Sequence, residues 1–161
     1  MSQRGLVVRT HGERETRLVG AALARALPPG ATVSLEGPLG AGKTVLVRGL
    51  CEALGVTDPV TSPTYTLENE YETATGRRVI HVDCFRLGSV AELEDLALED
   101  RRDADTLLLA EWGDRVIVAL PPETIRVTIE PEPEGDSEAR RIVVALPPGV
   151  ELADLDPGGG E

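Results

Sequence analysis

Aromatic side chains are nearly missing from this 161-residue chain, which holds one Trp, one Phe and two Tyr. That scarcity excludes a base-stacking platform built on several rings. It leaves Leu, Val and Ala to supply a core, which the 41% apolar content permits. Cysteine is rarer still. Cys51 and Cys84 are too few and too far apart for a metal cluster, and they are expected as reduced core thiols. No apolar run reaches the roughly 18 residues of a membrane span. The amino-terminal MSQRGLVVRTHGER lacks the apolar stretch of a signal peptide. A cytoplasmic protein without a membrane segment is the expectation. The length suits one domain, expected over residues 1–146, with 147–161 (PPGVELADLDPGGGE) as a flexible tail that lacks apolar periodicity.

Positive charge is also short. The net charge is -12, made of +3 over residues 1–56, -8 over 57–119 and -7 over 120–161. Such a chain is a poor nucleic-acid binder by itself, because most of its surface repels phosphate. A role in a nucleic-acid process would run through protein partners. Of the 16 basic residues, Lys43 is the one lysine and the rest are arginine.

The organisation is that of alternating strands and helices. Gly5–Arg9 reads as a strand. Thr10-His11-Gly12-Glu13 fits a capping box opening a helix to about Leu27, with Leu18, Val19, Ala22, Leu23 and Ala26 on one face. Thr32–Glu36 reads as a strand, Gly37–Gly42 as a turn, and Lys43 to Leu54 as a helix stopped by Gly55. Tyr65-Leu67-Tyr71 and Arg78–Cys84 suggest a hairpin. Ser89-Val90-Ala91-Glu92 fits a second capping box, opening an acidic helix to about Asp103. Leu107–Ala110 reads as a buried strand. Val116–Leu120 is ambiguous, and Thr124–Glu130 with Arg140–Leu146 suggests another hairpin.

Chemistry concentrates in Gly37-Pro38-Leu39-Gly40-Ala41-Gly42-Lys43-Thr44, a full match to G-x-x-x-x-G-K-[ST]. Composition predicts on the order of 0.001 chance matches in a chain of this size. Backbone N–H groups of such a loop wrap a phosphate, and the following helix points its amino end at the anion. Lys43 would meet the β- and γ-phosphates of ATP, and the Thr44 hydroxyl would ligate Mg²⁺. A lysine suits that task better than arginine, which the chain uses everywhere else.

The loop needs an acidic partner for metal and water. Asp83 and Glu111 each end an apolar strand. Strands flanking the loop's own strand would carry both to the phosphates, since ligands sit beyond the carboxyl ends of parallel strands. Either acid alone is also what marks a strand meeting solvent. Glu111 is assigned as the second metal-site ligand and Asp83 as the acid that orients water or the metal's shell, with the two roles exchangeable. Ser62 and Thr64 lie on a Ser/Thr/Pro loop placed to sense the γ-phosphate. His81 is expected as a packed strand residue, Trp112 as an anchor beside Glu111, and Arg101-Arg102 as a solvated face. Without a second lysine no [NT]-K-x-D guanine motif exists, which excludes an ordinary GTPase. No LSGGQ-like segment is present, and the chain is short for an AAA+ module. A small P-loop ATPase remains, with a small-molecule P-loop kinase or a non-catalytic nucleotide-gated adaptor as alternatives.

In order along the chain, Leu35 to Thr44, Ser62-Pro63-Thr64-Tyr65-Thr66-Leu67 with Tyr71, His81-Val82-Asp83-Cys84-Phe85-Arg86-Leu87 and Glu111-Trp112 resemble the motifs of the TsaE (YjeE) family. That family is the P-loop ATPase of bacterial tRNA threonylcarbamoyladenosine formation. The resemblance covers about residues 10–146. Pro38 stands where the family has Asp, and Phe85 where it has Tyr; neither change removes an expected phosphate or metal ligand, while Pro38 stiffens the loop and takes one N–H from it. The resemblance implies partnership with TsaB and TsaD, which transfer a threonylcarbamoyl group to tRNA, and weak hydrolysis by the isolated chain. The expected fold is α/β: a P-loop NTPase-like three-layer sandwich, mostly parallel, with antiparallel strands added by the two hairpins.

Overall fold

A computed structural model describes residues 4–64, 66–85, 87 and 89–152. The elements in chain order are β1 (Arg4–His11), α1 (Glu13–Ala26), β2 (Thr32–Glu36), α2 (Lys43–Ala53), β3 (Glu68–Glu72) and β4 (Arg78–Asp83). Then come α3 (Val90–Asp95), α4 (Leu98–Arg101), β5 (Thr106–Glu111), a 3₁₀ segment (Gly113–Ala119), β6 (Ile125–Pro131) and β7 (Ala139–Leu146). Seven strands form one sheet in the order β1-β7-β6-β2-β5-β4-β3. The four inner strands β6, β2, β5 and β4 run parallel. β1, β7 and β3 are paired antiparallel. The fold is α/β, with β1 as an antiparallel strand beyond the two expected hairpins.

The apolar runs explain the layering. All five residues of β2 are buried, as expected of a parallel strand covered on both faces. Alternation along the strands splits the core in two. Val79 and Leu109 face a cluster with Val19, Leu23, Leu46, Val47 and Leu50 of α1 and α2. Their neighbours Ile80, Val82, Leu108 and Ala110 face the opposite cluster, with Leu93, Leu98 and Val116. Helices therefore cover both faces, which makes the three expected layers. Cys51 and Cys84 are free and buried, and burial pushes both thiols up to about 12. Among the described residues no helix is long and apolar enough to cross a membrane.

Several boundaries differ from expectation. The helix α1 is capped by Gly12 at φ +86°, without a side-chain hydrogen bond. Thr10 stays in β1 and shares a hydrogen bond with Thr16 at 3.0 Å, while Glu15 accepts the His11 N–H. The capping box is thus displaced, because β1 runs on to His11. Leu18 is exposed, and Thr16 and Gly20 take inward positions of α1. β3 begins at Glu68, after Leu67 at φ +68°; Tyr65 lies outside the described residues. The acidic helix is broken at Ala97, which adopts φ +53°. Leu93 and Leu98 are both buried, and five residues on one straight helix would point them roughly 140° apart. The break brings both inward, while Ser89 caps α3 through the Glu92 N–H as expected. Val116–Leu120 falls within and just after the 3₁₀ segment, which kinks at Val116. Val150 and Leu152, in the segment expected to be a tail, pack against the α1–α2 side; residues 153–161 lie outside the described residues.

The helices α1 and α2 touch backbone to backbone. A Cβ added at Gly20 would sit 2.1 Å from the Leu46 carbonyl oxygen, and one at Gly49 would sit 2.0 Å from that of Arg17. Neither backbone can yield without parting the helices. Gly20→Ala and Gly49→Ala should each destabilise the fold by about 2 kcal/mol or more despite better helix propensity. Urea unfolding would measure it.

At the edge of the sheet, His11 Nε2 meets Asp136 Oδ2 in the β6–β7 loop at 2.7 Å. The hydrogen bond and charge of Asp136 raise His11 above its ordinary 6.5. The hydrogen bond to His11 in turn holds Asp136 below its ordinary 3.8. The histidine's share of stability is complete below 6.5 and fades as pH rises through its raised value. The aspartate's share is present above 3.8 and fades as pH falls through its lowered value. His11→Ala should therefore lower the melting temperature slightly near pH 5, and leave it unchanged near pH 9.

Candidate phosphate and metal site

The loop after β2 starts under a steric constraint. Gly37 leaves the strand at φ +136°, and a Cβ there would stand 2.0 Å from the Ile129 carbonyl oxygen of β6. The chain then turns, with the Ala41 N–H bonding the Pro38 carbonyl at 3.1 Å. It enters α2 through Gly42 at φ +112°, and no side chain caps that helix among the described residues. The first N–H groups of a helix lack partners within it and attract anions in general.

Two arginines outside the sequence motifs brace the loop. Arg140 of β7 donates from Nε to the Ala41 carbonyl at 3.0 Å. Arg126 of β6 reaches Glu36 Oε1 at 2.7 Å from Nη2 and 2.8 Å from Nε. Ser34 and Thr128 donate to the same carboxylate at 3.3 Å each. Glu36 is buried directly before Gly37. Sequence reading missed these residues; the one signal was a glutamate ending a strand directly before the loop.

Lys43 is buried, and its Nζ donates to the loop's own carbonyls, Gly37 at 2.6 Å and Pro38 at 3.0 Å. The same Nζ lies 4.0 Å from the centroid of the Trp112 ring. Burial pulls the Lys43 pKa down, against the opposing charges of Glu111, Asp114 and Asp83. Trp112 adopts φ +58° and stacks at 5.1 Å against Phe85, over which Arg115 lies at 5.0 Å. A ring suffices for that contact, so the Phe85 departure from the TsaE pattern leaves the stack intact. Leu39 at the tip of the loop is 91% exposed.

The two acids occupy unequal places. β5 lies between β2 and β4, so Glu111 adjoins the loop's strand while Asp83 is one strand further out. The expectation that both flanking strands carry an acid is corrected: the other flanking strand is β6. Asp83 and Glu111 are still register partners across β4 and β5, and both are buried. Thr44 Oγ1 donates to Glu111 Oε1 at 3.2 Å. His81 Nε2 lies 3.3 Å from the same oxygen, but neither ring nitrogen makes an aligned hydrogen bond among the described residues. Burial works to raise the Glu111 pKa; contact with His81, Thr44 and Lys43 outweighs it and holds the group below its ordinary value. Asp83 accepts the Phe85 N–H at 2.9 Å.

Hydroxyl and carboxylate oxygens suit a hard cation such as Mg²⁺. No group of three or more His, Cys, Asp or Glu forms a metal cage among the described residues.

Ser62 and Thr64 share a hydrogen bond at 2.8 Å. Their loop is fastened to α2 by Arg48, which donates to Val60 O at 3.1 Å, and to β3 by Asn69, which donates to Thr61 O at 3.2 Å. No hydrogen bond joins Ser62 to Thr44, Asp83 or Glu111 among the described residues. Arg101 is more than a solvated residue: it pairs with Glu68 and, at 3.2 Å, with Glu70, tying α4 to β3. Arg86 lies outside the described residues. A cavity of about 190 Å³ borders Gly40–Gly42 between the start of α1 and β7, lined by Gly12, Glu13, Thr16, Val45, Glu138 and Arg140.

Comparison with known proteins gives a consistent result. Residues 10–142 match the family described as "Threonylcarbamoyl adenosine biosynthesis protein TsaE". The tRNA threonylcarbamoyladenosine biosynthesis protein TsaE of Streptomyces coelicolor is 40% identical over 132 residues, spanning 80% of this chain and 88% of that protein. The protein of that name from Bacillus subtilis is 35% identical over 130 residues, 81% of this chain and 79% of its own. A crystal structure of Bacillus subtilis YdiB superposes with a TM-score of 0.71 at 28% identity, covering 91% of this chain and 88% of that one.

The Glu36–Arg126 pair supports the loop from below. Arg126→Ala, which leaves the buried carboxylate without its main partner, should cost about 1–2 kcal/mol of stability, discounted for the arginine's part exposure. In a double-mutant cycle with Glu36→Gln by urea unfolding, the two losses should not add.

Proposed function

This chain belongs to the TsaE family, and we propose that it is the ATP-binding and ATP-hydrolysing subunit that supports threonylcarbamoyl transfer to adenosine in tRNA. In this reading it acts with TsaB and TsaD in the cytoplasm, and meets tRNA only through their complex. A net charge of -12 favours that indirect contact.

The observation that carries the reading is the contact of Thr44 with Glu111 at the mouth of α2, 3.2 Å apart. A hydroxyl and a carboxylate side by side support the reading, because a P-loop takes its metal on such groups. Gly37, Pro38, Leu39, Gly40, Ala41 and Gly42 wrap the phosphates, with backbone N–H groups from every residue of the loop but Pro38, which has none. Lys43 leaves the Gly37 and Pro38 carbonyls and neutralises the β- and γ-phosphates. Thr44 and Glu111 hold Mg²⁺, which when bound supplies charge neutralisation to the transferring phosphoryl group. Asp83 orients the attacking water or the metal's shell, and His81 packs against Glu111 to fix its carboxylate. Ser62 and Thr64 sit on the loop that responds to the γ-phosphate. The cavity beside Gly40–Gly42 receives the nucleoside end.

Trp112 is the chain's one tryptophan and contacts Lys43. Its fluorescence should therefore change when MgATP draws the lysine away, and Lys43→Ala should abolish both the change and ATP binding. Asp83→Ala and Glu111→Ala should retain binding while hydrolysis falls on the order of 10²-fold. The assay is phosphate release with Mg²⁺, with and without the TsaB–TsaD pair and tRNA. Stimulation by the pair that is lost in Lys43→Ala supports the reading. Normal turnover in both acid variants would sink the site assignment, and release only with a small-molecule acceptor would make the protein a kinase.

A further inference from the structure

We infer that the groove between α3, α4 and the 3₁₀ segment is the docking site for a segment of a partner protein that carries apolar side chains flanked by Lys or Arg. Around the break at Ala97 lies a cavity of about 520 Å³. Its floor is made of Leu93, Leu98, Leu108 and Leu120, which are buried beneath it. Beside them Val118 is 87% exposed. Three carboxylates, Glu94, Glu99 and Asp100, also line the groove and are exposed. None makes a side-chain hydrogen bond or ion pair among the described residues. The one base in the lining, Arg102, is engaged by Glu123 at 3.2 Å.

An apolar floor with an uncompensated acidic rim selects its occupant by charge as well as shape. A nucleic acid would set phosphate against the rim. A second copy of this chain, itself at -12, would bring more of the same sign. A basic segment with apolar side chains satisfies both features. The location has a consequence. α3 follows the strand that ends at Asp83, and the 3₁₀ segment follows Glu111 and Trp112 directly. An occupant pressing on both bears on the segments leaving both acids, which couples docking to hydrolysis. This rests on the proposed function only in taking the TsaB–TsaD pair as the partner.

The test measures association of the full chain with the purified pair by titration calorimetry, comparing wild type, the triple variant E94K/E99K/D100K and, separately, Val118→Glu. Circular dichroism and MgATP binding by each chain alone serve as fold controls. The expected result is association at least tenfold weaker in both variants with ATP binding unchanged. The wild-type interaction should also weaken with added salt, and that dependence should shrink in the triple variant. Wild-type association with both variants unaffected would overturn the groove while leaving the partner reading intact. No association of the wild type would overturn the partner reading and the groove with it. A wild-type dimer in sedimentation that the variants dissolve would make a second copy the occupant, and would overturn the inference.

Discussion

Gly37 leaves β2 so close to β6 that a methyl group on it would stand 2.0 Å from the Ile129 carbonyl oxygen. That approach sets where everything after it goes. The loop must turn within a few residues, Gly42 must enter α2 at a positive φ, and the first turn of α2 then faces the carboxyl end of β5. The Thr44–Glu111 contact is the result, and Arg126 and Arg140 hold the loop in that path from the β6–β7 side. A bulkier residue at position 37 would push the loop off the sheet and part the helix from the acid.

Charge is distributed around that geometry with little to spare. Lys43 is the one lysine of the chain, and Glu111, Asp114 and Asp83 are close enough to oppose the loss of its proton. Its ammonium sits on two backbone carbonyls and an aromatic face, interactions it can exchange for phosphate oxygens without first breaking an ion pair. Glu111 is similarly prepared: its contacts hold it ionised in a buried setting, the form that a metal ligand requires.

The two faces of the sheet are built differently. On one, Gly20 and Gly49 let α1 and α2 meet backbone to backbone, which makes a rigid platform under the loop. On the other, short helices broken at Ala97 and a kinked 3₁₀ segment leave a groove. Ligand and partner would thus engage opposite layers, both connected to the sheet that carries Asp83 and Glu111.

Much of the site was legible because it is local. Gly37 to Thr44 is one uninterrupted segment, and strand, loop and helix follow from its spacing. Apolar runs ending in Asp83 and Glu111 announced two acids at strand ends. Helix boundaries were less readable: Thr10 has the right spacing for a cap, yet strand pairing with β7 keeps it in β1. The sequence by itself determined the glycine-rich loop between strand and helix, the α/β class and the two acids at strand ends, since each depends on residues adjacent in the chain. Only the tertiary structure decided that β5 separates β4 from β2, that Glu111 and not Asp83 meets Thr44, and that Glu36, Arg126, Arg140 and Trp112 support the loop. Those outcomes depend on pairing and packing between segments tens of residues apart, and no local pattern encodes which strand lies beside which.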